Sequence, residues 1–326
     1  MRNKKGGRRN GGGRFLSVFL FVAFILTPVF ITAVDTSTEL ELQFSTSPEA
    51  RLILRQSFVF PFLQGSGPLT KDNNLAAVLS ADVTPVSVNG IAEINWTPAA
   101  FFVLSAGTLL GSGWILPFGD GIGIGVSEPI GSYDPDVPRR VKSDGEAFDG
   151  LLWRVWGAAT FQFDLGAVIP GDWNHVLFQT RQEFRYAGYT RAGPDDFWVY
   201  ENDERENKNG WVYYASYAFG YRMPLSPVLT TIAFMAEMYK TLYYSPGGDI
   251  WREDLGRWFF SGIFDFTLNP KLNATLVFQF RTRRNFGASD LNSDDYYYPD
   301  ITLNNDEPYR LIMFYRIALV FTYKFR

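Results

Sequence analysis

The segment that decides the fold class is the last one, residues 311–325, with the sequence LIMFYRIALVFTYKF. Every second residue from Leu311 to Phe325 is apolar or aromatic, while Arg316 and Lys324 occupy alternate positions. Side chains alternate between the two faces of a β-strand, so the pattern predicts a strand with one continuous apolar face. Its 15 residues exceed the five or six of an ordinary strand, which is typical of a strand that crosses a membrane.

The same alternation recurs through the chain, in segments 153–165, 176–186, 211–222, 258–268 and 276–283. Alternation alone also fits a soluble β-sandwich, so the connections decide between the two folds. Short connections are found at 97–100, 169–174, 224–228 and 269–273. Long polar connections are found at 64–74, 115–150, 192–210, 245–256 and 288–308. Short turns at one end and long loops at the other are typical of outer-membrane barrels.

We therefore predict an all-β fold, a transmembrane antiparallel β-barrel of about ten strands, with twelve as the alternative. Two places leave the count open. Leu40, Leu42 and Phe44 alternate with polar residues and could form an additional first strand. In segment 75–96 the apolar phase changes at Pro85, which indicates either a bulge or a turn. Ten is preferred because twelve would place the connection at 64–74 at the short-turn end.

The amino terminus has the pattern of a secretory signal. Residues 1–14 carry six basic residues and no acid, and an apolar run from Phe15 to Val34 follows. We predict a cleavable signal over 1–33 and a barrel domain over 34–326. A retained anchor helix is the alternative, because about 20 apolar residues can span a bilayer.

Charge and composition exclude several functions. Cleavage would remove six basic residues and leave 24 against 34 acidic ones, a net charge of about −10 that disfavours binding to nucleic acid. The chain has no cysteine and one histidine, His175, so a hydrolase would lack its usual base. Asp290, Asn292 and Asp294 are spaced as in a calcium loop, but the glycine and glutamate of that motif are missing. We predict no enzyme, catalytic residue, cofactor or metal.

Four short segments stand out in the first third of the mature chain: 69–74 (LTKDNN), 84–90 (TPVSVNG), 96–101 (WTPAAF) and 111–114 (GSGW). Together they resemble outer-membrane barrel proteins of treponeme-like spirochaetes. The match covers about 45 residues in the first third of the mature chain. The resemblance implies a bacterial outer-membrane barrel and contributes little on activity, because the family is largely uncharacterised.

The polar faces of the strands predict the lining of a lumen. Its cations are Arg51, Arg55, Arg154, Arg181, Arg185, Arg222, Arg281, Arg283 and Arg316. Its acids are Asp82, Asp164, Glu183, Glu237 and Asp265. Nine cations against five acids predict a positive interior, and Arg281, Arg283 and Arg316 would form a patch near Asp265. Such a lumen is either a packed network of ion pairs or a narrow passage that favours small anions.

Two functions follow from this lining and from the loops. The first is a structural or small-solute channel, leaning towards anions. The alternative is a surface binder that uses its long loops, with Phe197, Trp198 and Tyr200 as contact residues for an extracellular ligand. In either case we expect a monomer in the bacterial outer membrane, in contact with lipid and inserted by the barrel-insertion machinery.

Overall fold

A computed structural model describes most of the barrel. It covers residues 35–47, 49–114, 116, 123–126, 147–194, 196, 198–201, 207–224, 226, 228–242, 256–284 and 309–325. Residues 1–34 lie outside this part, so the signal segment stays a prediction. Among the described residues, no helix is long and apolar enough to cross a membrane.

The strands form one closed antiparallel barrel and a separate small sheet. In chain order the strands are β1 (Asp35–Ser45), β2 (Glu49–Pro61), β3 (Asn74–Val83), β4 (Ser87–Ala99), β5 (Phe102–Gly113), β6 (Gly123–Val126), β7 (Leu152–Asp164), β8 (Val176–Tyr189), β9 (Trp198–Glu201), β10 (Gly210–Arg222), β11 (Leu229–Thr241), β12 (Arg257–Asn269), β13 (Leu272–Arg284) and β14 (Tyr309–Lys324). All except β6 and β9 pair in sequence around the barrel, and β1 closes it against β14. A short 3-10 helix, Leu165–Ala167, follows β7. The predicted fold class is confirmed.

The barrel has twelve strands, so the preferred count of ten was wrong and the alternative was correct. The phase change at Pro85 is a turn between β3 and β4, not a bulge. Thr84 closes this turn, because its Oγ1 accepts hydrogen bonds from Val86 N at 3.2 Å and Ser87 N at 3.0 Å. Proline suits the second position of such a turn because its φ is already fixed there. The doubtful segment around Leu40 is β1.

Twelve strands give the barrel two distinct ends. Both termini of the barrel and the connections at 62–73, 100–101, 165–175, 223–228 and 270–271 lie at one end, here called the terminus end. The opposite, loop end holds the turns at 46–48 and 84–86 and the connections at 114–151, 190–209, 242–256 and 285–308. The connection at 62–73 therefore lies at the terminus end, contrary to the reason for preferring ten strands. It is held there by a hydrogen bond from Ala100 N to Leu69 O at 2.9 Å.

The outward surface is apolar and carries aromatic side chains near both ends. Leu52, Ile94, Val155 and Phe234 are exposed mid-strand, as the alternation predicts. Near the loop end Trp153 stacks on Tyr186, and Trp211 packs edge-on against the same ring. Near the terminus end the ring pairs are Phe62–Trp96, Phe101–Phe161 and Tyr323–Phe325. An apolar band between two aromatic girdles is the outer surface that a lipid bilayer requires.

The deciding strand β14 departs from its predicted alternation at one place. Its register with β13 shifts between Gln279 and Phe280. Before this bulge Ile312 and Phe314 face outward and are exposed, whereas the pattern predicted Met313 and Tyr315 on that face. A bulge moves the following side chain to the other face, and here it turns Tyr315 into the lumen.

The twelve-strand topology predicts which surface sites a protease reaches on intact cells. Lys71 is exposed in the connection at the terminus end, whereas Arg191 is exposed at the loop end. With the terminus end in the periplasm, added trypsin should cut after Arg191 and leave Lys71 intact. Mass spectrometry of the fragments measures both sites. Cleavage after Lys71 on cells with sealed outer membranes would contradict this topology, since a ten-strand barrel places it outside.

Candidate functional site: the lumen and its mouth

The structure brings the predicted arginines and acids to the lumen. Strand register places Arg51, Arg55, Arg154, Arg181, Arg185, Arg222, Arg281 and Arg316 on the inner face, together with Asp82, Asp164, Glu183, Glu237 and Asp265. Arg283 lies in β13, but its side chain is outside the described part. One predicted grouping is wrong. Asp265 of β12 is opposite Thr275, whereas Arg281 of β13 is opposite Phe259. Asp265 and Phe259 are six residues apart along β12, so Arg281 lies about 20 Å from Asp265.

The lumen also contains carboxylates that the alternation of the strands did not predict. Glu39 and Glu41 belong to β1, Glu49 opens β2, Glu93 lies in β4, and Glu201 comes from a loop that folds inward. Glu93 had a usable signal, since it alternates with Ala92 and Ile94, whereas Glu201 had none. Arg257 and Lys324 are additional cations on inward positions. Over the described lumen the two signs are nearly equal in number, which removes the predicted positive surplus.

The wall formed by β7 and β8 carries a connected ion-pair network. Glu183, which is buried, accepts from Arg181 Nε at 3.0 Å and Nη2 at 2.8 Å, and it pairs with Arg185 Nε at 2.7 Å. Glu93 reaches Arg181 at 3.8 Å and accepts from Trp156 Nε1 at 3.0 Å. These two contacts of Glu93 join β4 to β7 and β8 across the inner surface of β5. This network fixes long charged side chains on the wall.

A second group of ion pairs lies where β1 and β14 close the barrel. Arg316 of β14 pairs with Glu49 of β2 and donates from Nε to Gln279 Oε1 at 2.9 Å. Arg55 approaches Glu39 at 3.6 Å and Glu41 at 3.9 Å. Lys324 approaches Glu39 at 3.6 Å from the other side. These contacts tie the first two strands to the last.

Aromatic rings and guanidinium groups line the adjoining wall, from β8 to β14, as a continuous series. The Arg185 guanidinium lies 4.8 Å from the Tyr214 ring centre. From there the ring centres of Tyr214, Tyr239, Phe259 and Tyr315 follow one another at distances of 4.8, 5.6 and 5.9 Å. The Arg281 and Arg316 guanidinium groups lie 4.2 and 5.0 Å from the Tyr315 ring centre. Guanidinium groups are attracted to the faces of aromatic rings. We call this wall, from β8 to β14, the aromatic–arginine wall.

The mouth at the loop end is narrowed by a two-stranded sheet that enters the barrel. Strand β6 lies in the connection between β5 and β7, and β9 lies in the connection between β8 and β10. The two strands pair antiparallel from Gly123 to Val126. Apolar side chains attach this inner sheet to the wall of β5, β7 and β8. They are Ile124, Trp198 and Tyr200, packed with Leu109, Leu152, Ala187 and Tyr189.

A polar contact fixes the other side of the inner sheet to β2 and β4. The Glu201 carboxylate forms an ion pair with Arg51 and accepts from Ser87 Oγ at 2.7 Å. Arg51 is also paired with Asp82 at 3.1 Å. We call these two contacts of Glu201 the latch. Burial in this region raises the pKa of Tyr200 well above its ordinary value, so its hydroxyl stays neutral.

Two of the three proposed surface contact residues are buried. Trp198 is 1% exposed and Tyr200 is 7% exposed, because both side chains pack into the mouth of the barrel. Phe197 lies outside the described residues. The apolar character of this loop therefore stabilises an inward fold, and the expectation that Trp198 and Tyr200 contact an external ligand was wrong.

His175 sits at the terminus end, far from this mouth. Its Nδ1 lies 3.0 and 3.2 Å from the two carboxylate oxygens of Asp164. Its backbone carbonyl accepts from Arg222 N at 3.0 Å. These contacts attach the connection before β8 to β7 and β10, which is a structural role. Within the described residues, no cluster of three or more histidines and carboxylates is arranged to hold a metal ion.

Comparisons with known proteins add little to this picture. No protein-family model and no curated protein matches the chain. Among solved structures, the NanC porin aligns with a TM-score of 0.38 and 8% identity over 89% of this chain and 99% of the porin. The translocator domain of the autotransporter NalP from Neisseria meningitidis aligns with a TM-score of 0.39 and 8% identity over 96% of each chain. The Omp33 protein of Acinetobacter baumannii aligns with a TM-score of 0.33 and 9% identity over 89% of this chain and 97% of that one.

The location follows from the barrel itself. In a bilayer every backbone polar group needs a partner within the protein, which a barrel achieves only when it is closed. Here β1 pairs with β14 from Glu39 to Ser45, and the surface between the girdles is apolar. This protein is an outer-membrane barrel. Its resemblance to spirochaete proteins stays a prediction.

Proposed function

We propose that the protein is a non-enzymatic outer-membrane channel for small polar solutes, with a passage between the inner sheet and the aromatic–arginine wall. The observation that carries the proposal is the lining of a twelve-strand barrel with charged and polar side chains. A solute that crosses such a lumen exchanges its hydration for hydrogen bonds to these groups.

The width of the barrel supports this proposal. Barrel diameter grows roughly linearly with strand number, and side chains fill a barrel of about eight strands. Twelve strands make the barrel about one and a half times as wide. The ion-pair network and the inner sheet occupy part of this space on the β2 to β8 side. The remaining width is too small for a general pore of the 16-strand kind, which favours small solutes.

The charges of the lumen suggest weak ion selectivity. Nine predicted lumen cations against five predicted acids favoured anions. The five additional carboxylates balance these cations, and most of the pairs are close enough to neutralise each other. We therefore expect little preference for anions over cations, in place of the predicted leaning towards anions.

Conductance in planar bilayers tests the proposal directly. Purified protein should give discrete current steps in potassium chloride, with a reversal potential near zero under a salt gradient. Swelling of proteoliposomes in small sugars should show the same passage for neutral solutes. Heat-denatured protein is the control. An intact barrel that neither conducts nor admits sugars would show that the lumen is closed.

A further inference from the structure

We propose that Arg51 and Ser87 form a carboxylate-binding site at the mouth of the barrel, which the protein's own Glu201 occupies. A solute that carries a carboxylate would compete with Glu201 for this site. Its binding would release the inner sheet from β2 and β4. The inference deepens the proposed function, because it names carboxylated solutes as the class that acts at the mouth.

The site is built into the wall before any ligand arrives. Arg51 uses Nη1 for Asp82 at 3.1 Å, which leaves Nη2 directed at the Glu201 carboxylate. Asn89 donates from Nδ2 to Asp82 Oδ1 at 2.7 Å and to Ser87 Oγ at 3.3 Å. Asp82, Ser87 and Asn89 are each 2% exposed or less, so the surrounding structure holds them in place. The guanidinium and hydroxyl donors are therefore preorganised.

The two donors match the chemistry of a carboxylate. One oxygen of Glu201 pairs with Arg51, and the other accepts from Ser87 Oγ at 2.7 Å. A charge-assisted hydrogen bond to a guanidinium is stronger than a neutral one, and a second donor fixes the orientation of the carboxylate. Nothing in this pair of contacts requires the rest of a glutamate. Any carboxylate that reaches the mouth can form the same two bonds.

The present occupant is held at a cost to its backbone. Glu201 has a φ of 58°, a left-handed conformation that residues with a Cβ rarely adopt. It is the last residue of β9, whereas Arg51 and Ser87 belong to strands of the barrel wall. Release would let this residue relax while the wall stays unchanged. The partner expected to move is therefore the inner sheet that carries Glu201.

Glu201 competes with the advantage of being tethered. A tethered group acts at a high effective concentration, so a free carboxylate must be abundant or make further contacts. We expect a simple carboxylate to bind weakly and a larger carboxylated solute to bind more tightly.

The test measures how often the inner sheet leaves the wall. Val199 is 2% exposed and the chain has no cysteine, so Val199→Cys provides a single protected thiol. The folded variant in liposomes is labelled with a thiol reagent in sodium acetate or in sodium chloride of equal ionic strength. The labelling rate should rise with acetate in proportion to one plus its concentration divided by its dissociation constant. In sodium chloride the labelling rate should not depend on the salt concentration.

Variants of the wall identify the site. In the Val199→Cys background, Arg51→Ala should raise the labelling rate on the order of tenfold, because a charge-assisted bond is lost, and should abolish the acetate effect. Glu201→Gln should raise the rate while retaining sensitivity to acetate. Arg55→Ala is the matched control, since Arg55 contacts Glu39 and Glu41 of β1 and not the latch.

Equal labelling rates in acetate and chloride would overturn the carboxylate site, and so would an unchanged rate in both Arg51→Ala and Glu201→Gln. A variant whose gel mobility no longer shifts on heating, as that of a folded barrel does, would be set aside as unfolded. The other latch variant would then provide the test. An acetate effect in a protein that conducts nothing would retract the proposed channel and leave the site intact.

Discussion

Phe278→Arg is expected to lower the free energy of unfolding of the barrel by about 2–4 kcal/mol. Phe278 faces lipid near the middle of β13 and packs edge-on against Phe264, with ring centres 5.9 Å apart. An arginine there would place a charge in the apolar band and remove this ring contact. Urea-induced unfolding in lipid vesicles, followed by tryptophan fluorescence, measures the loss.

Thr275→Arg is the matched control on the same strand. Thr275 faces the lumen and donates to Asp265 Oδ1 at 2.7 Å. An arginine at this position stays in the hydrated interior and can pair with the same carboxylate. We expect a loss below about 1 kcal/mol, as for exposed charges elsewhere. Equal losses for the two variants would mean that the faces of β13 are assigned wrongly.

Glu183→Gln is expected to cost about 3 kcal/mol of stability, at the lower end of the range for breaking a buried ion pair. The carboxylate serves Arg181 and Arg185 together, and a neutral amide would leave two neighbouring guanidinium groups without a shared counter-charge. The same change should move the reversal potential towards anion selectivity. Unfolding in urea and bilayer recordings check the two effects.

Glu39→Gln provides the comparison for this variant. Glu39 also contacts two cations, Arg55 and Lys324, but at 3.6 Å and with more of its side chain exposed. Solvent screens such pairs, so we expect a loss below about 1 kcal/mol. A larger effect for Glu39→Gln than for Glu183→Gln would show that the β7–β8 network is not the main electrostatic element of the lumen.

The alternation of side chains predicted most of the fold because it is a direct consequence of strand geometry. It gave the inward faces of β7, β8 and β10 correctly, including Arg154, Arg181 and Arg185. It could not distinguish a bulge from a turn at Pro85, because both shift the phase and both accept proline. The deciding bonds come from the Thr84 hydroxyl, whose direction no period reveals.

The alternation of apolar and polar residues could not predict the site at the mouth. Strands β6 and β9 have four residues each, too few to show a period, and they pair across about 75 positions of sequence. Trp198 and Tyr200 stand in a polar loop, where aromatic residues suggest external binding as readily as inward packing. Their burial depends on Leu109, Leu152 and Tyr189, which are contributed by three different strands. Only the three-dimensional arrangement brings Glu201 to Arg51.

The pairing of β1 with β14 sets the order in which the barrel assembles. Every other pair within the barrel joins consecutive barrel strands, whereas this one joins residues 39–45 to residues 318–324. Contacts between distant positions form slowly because the intervening chain must first be ordered. Until β14 pairs with β1, the open sheet has two unpaired edges that can pair with other chains. The Arg316–Glu49 pair, which spans β1, forms only when this ring closes, so its loss should prolong the aggregation-prone stage more than it destabilises the finished barrel.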